Sequence, residues 1–257
     1  MSRLSRRGLI GAGAAGMGGL LLAGCDRLSA SPSFQKFIGT GEDLTFGAQR
    51  ILLAGQPLAR EYSLSQLSPT FKSNGTSMPG GDAYRALLDN AFANYHLAVE
   101  GLVARPARFS LADLKAMPAR TQITRHDCVE GWSAIGQWTG VPLGHLLRTV
   151  GVAPAARFVV LHCADDLENS TDGSGQYYES IDLFDAFHPQ TILAYAMNGK
   201  PLVPAHGAPL RLRVERQLGY KQAKYVMRLQ LVDRVERIKG GKGGYWEDRG
   251  YEWYAGI

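Results

Sequence analysis

Three stretches of this chain alternate apolar with polar residues at a period of two: residues 95–103 (YHLAVEGLV), 209–214 (PLRLRV) and 224–232 (KYVMRLQLV). Successive side chains of a strand point to opposite faces, so this period specifies β-structure with one face on a core and one in water. A fourth stretch, residues 157–163 (RFVVLHC), is a nearly continuous apolar run and reads as a buried strand. Short helix signals lie between. Ser110 with Asp113 resembles a capping box for a helix through Met117. Pro142 stands at an N1 position, and Gly151 lies just past the end of that helix. Residues 82–94 read as a short helix and residues 46–60 as another, whereas residues 68–81 (SPTFKSNGTSMPGG) read as a loop. The sum is α+β, with β-rich mixed sheets and short helices. No Pro/Gly-rich linker divides residues 46–257, which read as one domain.

The first residues read as an address. Arg3, Arg6 and Arg7 precede residues 8–24, which carry no charge and are rich in Gly and Ala. That run suits a signal segment better than a spanning helix. Ser5-Arg6-Arg7-Gly8-Leu9-Ile10 resembles a twin-arginine motif. Leu22-Ala23-Gly24-Cys25 resembles a bacterial lipobox in which Cys25 accepts the lipid. Residues 1–24 are therefore expected to be a signal peptide and residues 25–45 a flexible tether. The expected location is the periplasm, with a lipid anchor in the membrane.

The chemistry-bearing residues are sparse. The three cysteines, Cys25, Cys128 and Cys163, are too few and too far apart for a disulfide framework. A thiolate is a soft metal ligand and a good nucleophile, and Arg125 and His126 beside Cys128 favour the thiolate by charge. No zinc spacing accompanies it, and no G-x-G-x-x-G follows a strand. A cysteine nucleophile with His126, His162 or His206 as its base stays open. Between Lys200 and Lys242 stand eleven Lys and Arg against three Asp and Glu, a local charge of +8 in a chain whose net charge is +5. Gly207 and Gly219 lie among these basic residues. Glycine lets backbone approach closely and guanidinium forks meet oxygens, which suits a phosphate. Tyr220, Tyr225, Tyr245 and Trp246 form no stacking motif, so nucleic acid is not an expected partner.

Five runs occur in an order that resembles one family. They begin at Cys128-Val129-Glu130-Gly131-Trp132-Ser133, Trp138-Thr139-Gly140-Val141-Pro142-Leu143 and Leu193-Ala194-Tyr195-Ala196-Met197-Asn198-Gly199. His206-Gly207-Ala208-Pro209-Leu210-Arg211 and Gly219-Tyr220-Lys221-Gln222-Ala223-Lys224 follow. Residues 68–257 thereby resemble the sulfite oxidase superfamily of molybdopterin enzymes, in particular its bacterial exported branch.

The resemblance implies a molybdenum–molybdopterin cofactor and oxygen-atom transfer, in the reductase direction on a sulfoxide or another S- or N-oxide. Cys128 matches the thiolate ligand of the metal, and Tyr177 the active-site tyrosine, with Tyr178 one register away as the alternative. Phe71, Asn74, Cys163, His206, Arg211, Gln222, Ala223 and Lys224 match cofactor-contacting positions. Ser73 stands where sulfite oxidases carry a substrate-binding arginine, which argues against sulfite. The alternatives are sulfite dehydrogenase-like oxidation and a molybdopterin-binding protein of this fold with little turnover. The resemblance also implies a membrane b-type cytochrome as electron partner, with a small molecule or an oxidised residue as substrate.

Overall fold

The computed structural model describes residues 31–170 and 172–257. The twin-arginine-like motif, the lipobox and Cys25 lie outside the described residues. Two compact units divide at Gly55 and Gln56. In the first, helix α1 spans Pro32–Leu52, with Pro32 at its first turn. A flexible tether over residues 25–45 and a helix beginning at residue 46 were expected. The helix instead begins at residue 32. Phe34, Phe37, Ile38, Leu44 and Ile51 recur at helical spacing, and that period outweighs the local Gly and Ser content.

The second unit is built from two sheets. Its strands are β1 (His96–Gly101), β2 (Ala107–Ser110), β3 (Arg120–Cys128), β4 (Trp132–Pro142), β5 (Phe158–Asp166), β6 (Gln176–Asp182), β7 (Ile192–Met197), β8 (Lys200–Pro201), β9 (Arg211–Arg213) and β10 (Val226–Val232). One sheet has the order β2-β1-β10-β5-β6, with β1 parallel to β10 and its other pairs antiparallel. The other runs β3-β4-β7-β8, and β9 also pairs with β7. Short helices α2 (Asp82–Asp89), α3 (Leu111–Ala116), α4 (Leu143–Val150) and α5 (Leu183–Ala186) fill the connections. The expected capping box opens α3: Asp113 N–H donates to Ser110 Oγ, and Ser110 N–H donates to the Asp113 carboxylate. Pro142 ends β4 and caps α4, one position earlier than its expected place. Leu143, Leu146, Leu147 and Val150 share one face of α4 and are buried in the core with Leu97, Leu161 and Leu229. Each such leucine contributes roughly 2 kcal/mol by leaving water.

Strands β3 and β4 carry no clean hydrophobic alternation. In β3 the buried positions are Gln122, Thr124, His126 and Cys128. The inner face is polar because it turns toward other buried polar groups. Gln122 Nε2 donates to the Gln190 carbonyl and to Glu215, at 2.9 and 2.8 Å. The short strand β9 differs from its sequence pattern in the same way. Arg211 and Arg213 were expected on a wet face, yet both are fully buried.

Candidate cofactor and active site

Cys128 owes its position to a hairpin. Strands β3 and β4 pair from Arg120–Gly140 to Cys128–Trp132, and three residues join them. Gly131 takes φ +84°, and its N–H donates to the Cys128 carbonyl at 3.0 Å. Glycine adopts that conformation without steric cost, so the turn closes tightly and leaves Cys128 at the strand end. There it lines a cavity of about 320 Å³. Burial raises its thiol pKa, against the Glu130 backbone N–H, which lowers it. The expected help from Arg125 and His126 is not found. Arg125 points away and pairs with Asp127 at 2.9 Å, while burial and then Arg213 keep His126 neutral. A thiolate here needs a metal or another cation to favour it.

Asn74, Cys128, Tyr177, Gln222, Ala223 and Lys224 all line this one cavity. They come from the 68–81 loop, β3, β6 and the segment before β10. Tyr178 points elsewhere: its hydroxyl donates to Asp248 at 2.5 Å, and it borders a different surface cleft. The register choice between the two tyrosines is thus made by the pleat of β6. Tyr177 donates to the Tyr220 carbonyl, and burial followed by Glu179 holds its phenol pKa well above the ordinary value.

Arg211 and His206 stand directly behind the lining. Arg211 Nη1 donates to the His206 carbonyl at 3.1 Å and Nη2 to the Gln222 carbonyl at 3.4 Å. Its guanidinium lies 4.8 Å from the Trp138 ring. Among the described residues it meets no carboxylate, and burial, then Arg213, lower its pKa to about 9. Arg213 by contrast pairs with Glu215 and is structural. Lys224 Nζ donates to the carbonyls of Thr76 and Ala205, and burial and then Arg211 bring its pKa to about 7. Gly207 makes this cluster possible. At φ +99° a Cβ would stand 2.9 Å from Lys224 Cβ and 3.1 Å from Arg211 Cβ.

These residues fit a phosphate-bearing pterin. Arg211 Nε, His206 Nδ1, Gln222 Oε1 and Asp165 Oδ1 are buried without a hydrogen-bond partner. Such groups cost free energy unless something meets them. Two cationic side chains without a carboxylate partner beside orphaned donors and acceptors suit an anionic, polar ligand. Among the described residues no three of His, Cys, Asp and Glu gather at a metal-binding spacing.

Two expected cofactor residues are placed differently. Phe71 is not among the lining residues. It packs edge-on against Trp138 and His206, at 5.3 and 5.7 Å, and supports the wall from behind. Cys163 is a core residue, fully buried opposite Val226, with its thiol pKa raised well above normal by burial. Asp165, two positions along β5 on the same face, reaches the cavity instead. Burial lifts its carboxyl to a pKa of about 6.

The rest of the lining is aromatic. Tyr177, Tyr245, Trp246, Tyr251 and Tyr220 form a closed circuit. Ring centroids are 5.7, 5.2, 5.2 and 5.2 Å apart in turn, and the Tyr177 hydroxyl bond to the Tyr220 carbonyl completes it. All but Tyr245 line the cavity. Trp246 and Tyr251 were not expected there; only the aromatic content of the tail marked them.

Comparison with known proteins identifies the family. The family model described as "Oxidoreductase molybdopterin binding domain" matches residues 85–238. YedZ1 of Azospira oryzae, which carries the name of a protein-methionine-sulfoxide reductase subunit, is 39% identical over 202 residues, covering 76% of this chain and 70% of that protein. The protein-methionine-sulfoxide reductase catalytic subunit MsrP of Ralstonia nicotianae is 34% identical over 146 residues, covering 54% of this chain and 44% of its own. This chain thus spans less than half of MsrP. The sulfane dehydrogenase SoxCD of Paracoccus pantotrophus superposes with a TM-score of 0.50 at 27% identity, over 56% of this chain and 40% of that one. The chain belongs to the sulfite oxidase family of molybdopterin-binding oxidoreductases, enzymes that work with a molybdenum–molybdopterin cofactor.

Proposed function

We propose that this protein is an exported, lipid-anchored reductase that removes oxygen from organic sulfoxides, with Cys128 as the protein ligand of molybdenum. The observation that carries the reading is the position of Cys128. It shares one cavity with a cationic, hydrogen-bonding cradle and with an uncharged aromatic wall that includes Tyr177. The names of the Azospira and Ralstonia relatives support sulfoxide as the substrate class.

When bound, the cofactor supplies a two-electron centre that accepts an oxygen atom. Arg211 and Lys224 hold its phosphate, while Gln222, Asn74 and the Ala223 backbone position the pterin. Tyr177 stays protonated; its single hydroxyl proton, given to the Tyr220 carbonyl in this structure, would turn from that bond to donate toward the sulfoxide oxygen as negative charge grows there. The balance is one sulfoxide, two electrons and two protons giving one thioether and one water. The electrons come from a b-type cytochrome in the membrane, beside which the lipid on Cys25 holds the enzyme.

The test is the protein exported with its own leader. Reduced viologen should be oxidised by methionine sulfoxide and not by buffer alone, and sulfite should not reduce an electron-accepting dye. Sulfite oxidation faster than sulfoxide reduction would overturn the reading.

A further inference from the structure

The family match ends at residue 238, yet two cavity-lining side chains lie beyond it, Trp246 and Tyr251. Their segment is firmly seated. Lys221 Nζ binds Glu179 and Glu247 at 2.5 and 2.6 Å in full burial. Tyr245 N–H donates to the Tyr178 carbonyl at 3.0 Å. Gly244 allows this approach, since a Cβ there would stand 1.9 Å from Glu247 Oε2. Gly250, at φ +101°, turns the chain back so that Tyr251 N–H donates to the Trp246 carbonyl at 3.0 Å and the two rings stack.

The chemistry of this wall is selective. Tyr251 is 39% exposed and stands at the rim, whereas Tyr177 is 8% exposed and lies deep. Lys224 is the one cation among the described lining residues, against Asp165 and Glu130, and on the reading above the cofactor phosphate engages it. An anionic substrate finds no free positive charge here. A neutral sulfoxide with a hydrocarbon arm finds flat aromatic faces, which bind thioether and methylene groups well.

We propose that Trp246 and Tyr251 are the specificity-determining residues: they grip the hydrocarbon arm of an uncharged sulfoxide, such as an oxidised methionine on a peptide. This rests on the sulfoxide-reductase reading. The open rim lets a side chain enter while its peptide stays outside.

The test compares two neutral sulfoxides on the holoenzyme with reduced viologen. One is N-acetyl-methionine sulfoxide amide and the other is dimethyl sulfoxide, which has no arm. In Trp246→Ala and Tyr251→Ala the kcat/KM preference for the arm-bearing substrate should fall roughly tenfold, mainly through KM, at wild-type molybdenum content. Trp246→Phe should restore most of the preference. The rim position of Tyr251 makes Tyr251→Ala an independent reading if Trp246→Ala loses stability. An unchanged preference in Tyr251→Ala, with Trp246→Ala either unfolded or also unchanged, would overturn the proposal. A wild-type enzyme that reduces neither sulfoxide would instead overturn the functional reading beneath it.

Discussion

Lys221 and Glu247 form a contact of 2.6 Å in which neither side chain meets water, and Glu179 bonds to the same ammonium at 2.5 Å. Two carboxyls thus share one cation in a dry place. Burial, and next Glu247, raise the Glu179 pKa well above normal, so the carboxyl pair retains a proton. This cluster ties the aromatic tail to β6.

Removing the cation should be severe. Lys221→Met leaves two buried carboxyls without a cation, and the expected loss is about 3–5 kcal/mol in urea unfolding. Glu247→Gln keeps an acceptor for Lys221 and should cost much less. Equal losses in both variants would mean that charge is not what the cluster contributes.

Arg211 should behave in the opposite sense. Its buried guanidinium meets carbonyls and the Trp138 ring but no carboxylate among the described residues, so Arg211→Met should leave the cofactor-free protein within about 1 kcal/mol of wild type, or stabilise it. The same variant should lose most of its pterin, read by fluorescence after acid release. Normal pterin content in Arg211→Met would remove Arg211 from the phosphate cradle.

The two described cysteines should differ in access. Iodoacetamide followed by mass spectrometry should modify Cys128 in cofactor-free protein and leave Cys163 intact, because Cys163 is sealed in the core. Cofactor loading should protect Cys128. Early labelling of Cys163 in folded protein would place it on the cavity after all.

His162 should make stability depend on pH. Burial, then Arg228, hold its pKa at about 4; Gln230 bonds its ring, and Lys239 and Glu100 supply the remaining nearby charges. The folded state therefore binds fewer protons than the unfolded state between about pH 4 and the ordinary value near 6.5. This group's contribution is full above pH 6.5 and falls as pH drops, by about 2 kcal/mol at pH 5. His162→Gln should flatten that part of the pH profile, measured by urea unfolding from pH 5 to 7.5.

The legible parts of the sequence were those where the buried face is apolar. Strands β1, β5 and β10 and helices α2 to α4 follow hydrophobic period and capping residues. The β3–β4 hairpin was hidden because Gln122, Thr124 and His126 fill its inner face, and β9 was misread because its arginines turn inward. At the site, motif residues near Cys128 and Lys224 could be read from sequence. Asp165 lies two residues from Cys163 on the same face of β5, so the distance along the strand, rather than the pleat, decides which of them reaches the cavity. Trp246 and Tyr251 reach the cavity through a buried ion cluster joining residues 179, 221 and 247, a relationship that no local pattern carries.

Metal and pterin content of Cys128→Ser beside wild type, both produced as the full chain, tests the central claim most directly. Wild type should hold about one molybdenum and one pterin per chain. The variant should keep its pterin, which Arg211 and Lys224 hold, and lose sulfoxide-dependent viologen oxidation. Full turnover by the serine variant, or a wild-type protein that contains no molybdenum, would contradict the assignment of Cys128 as the metal ligand of this enzyme.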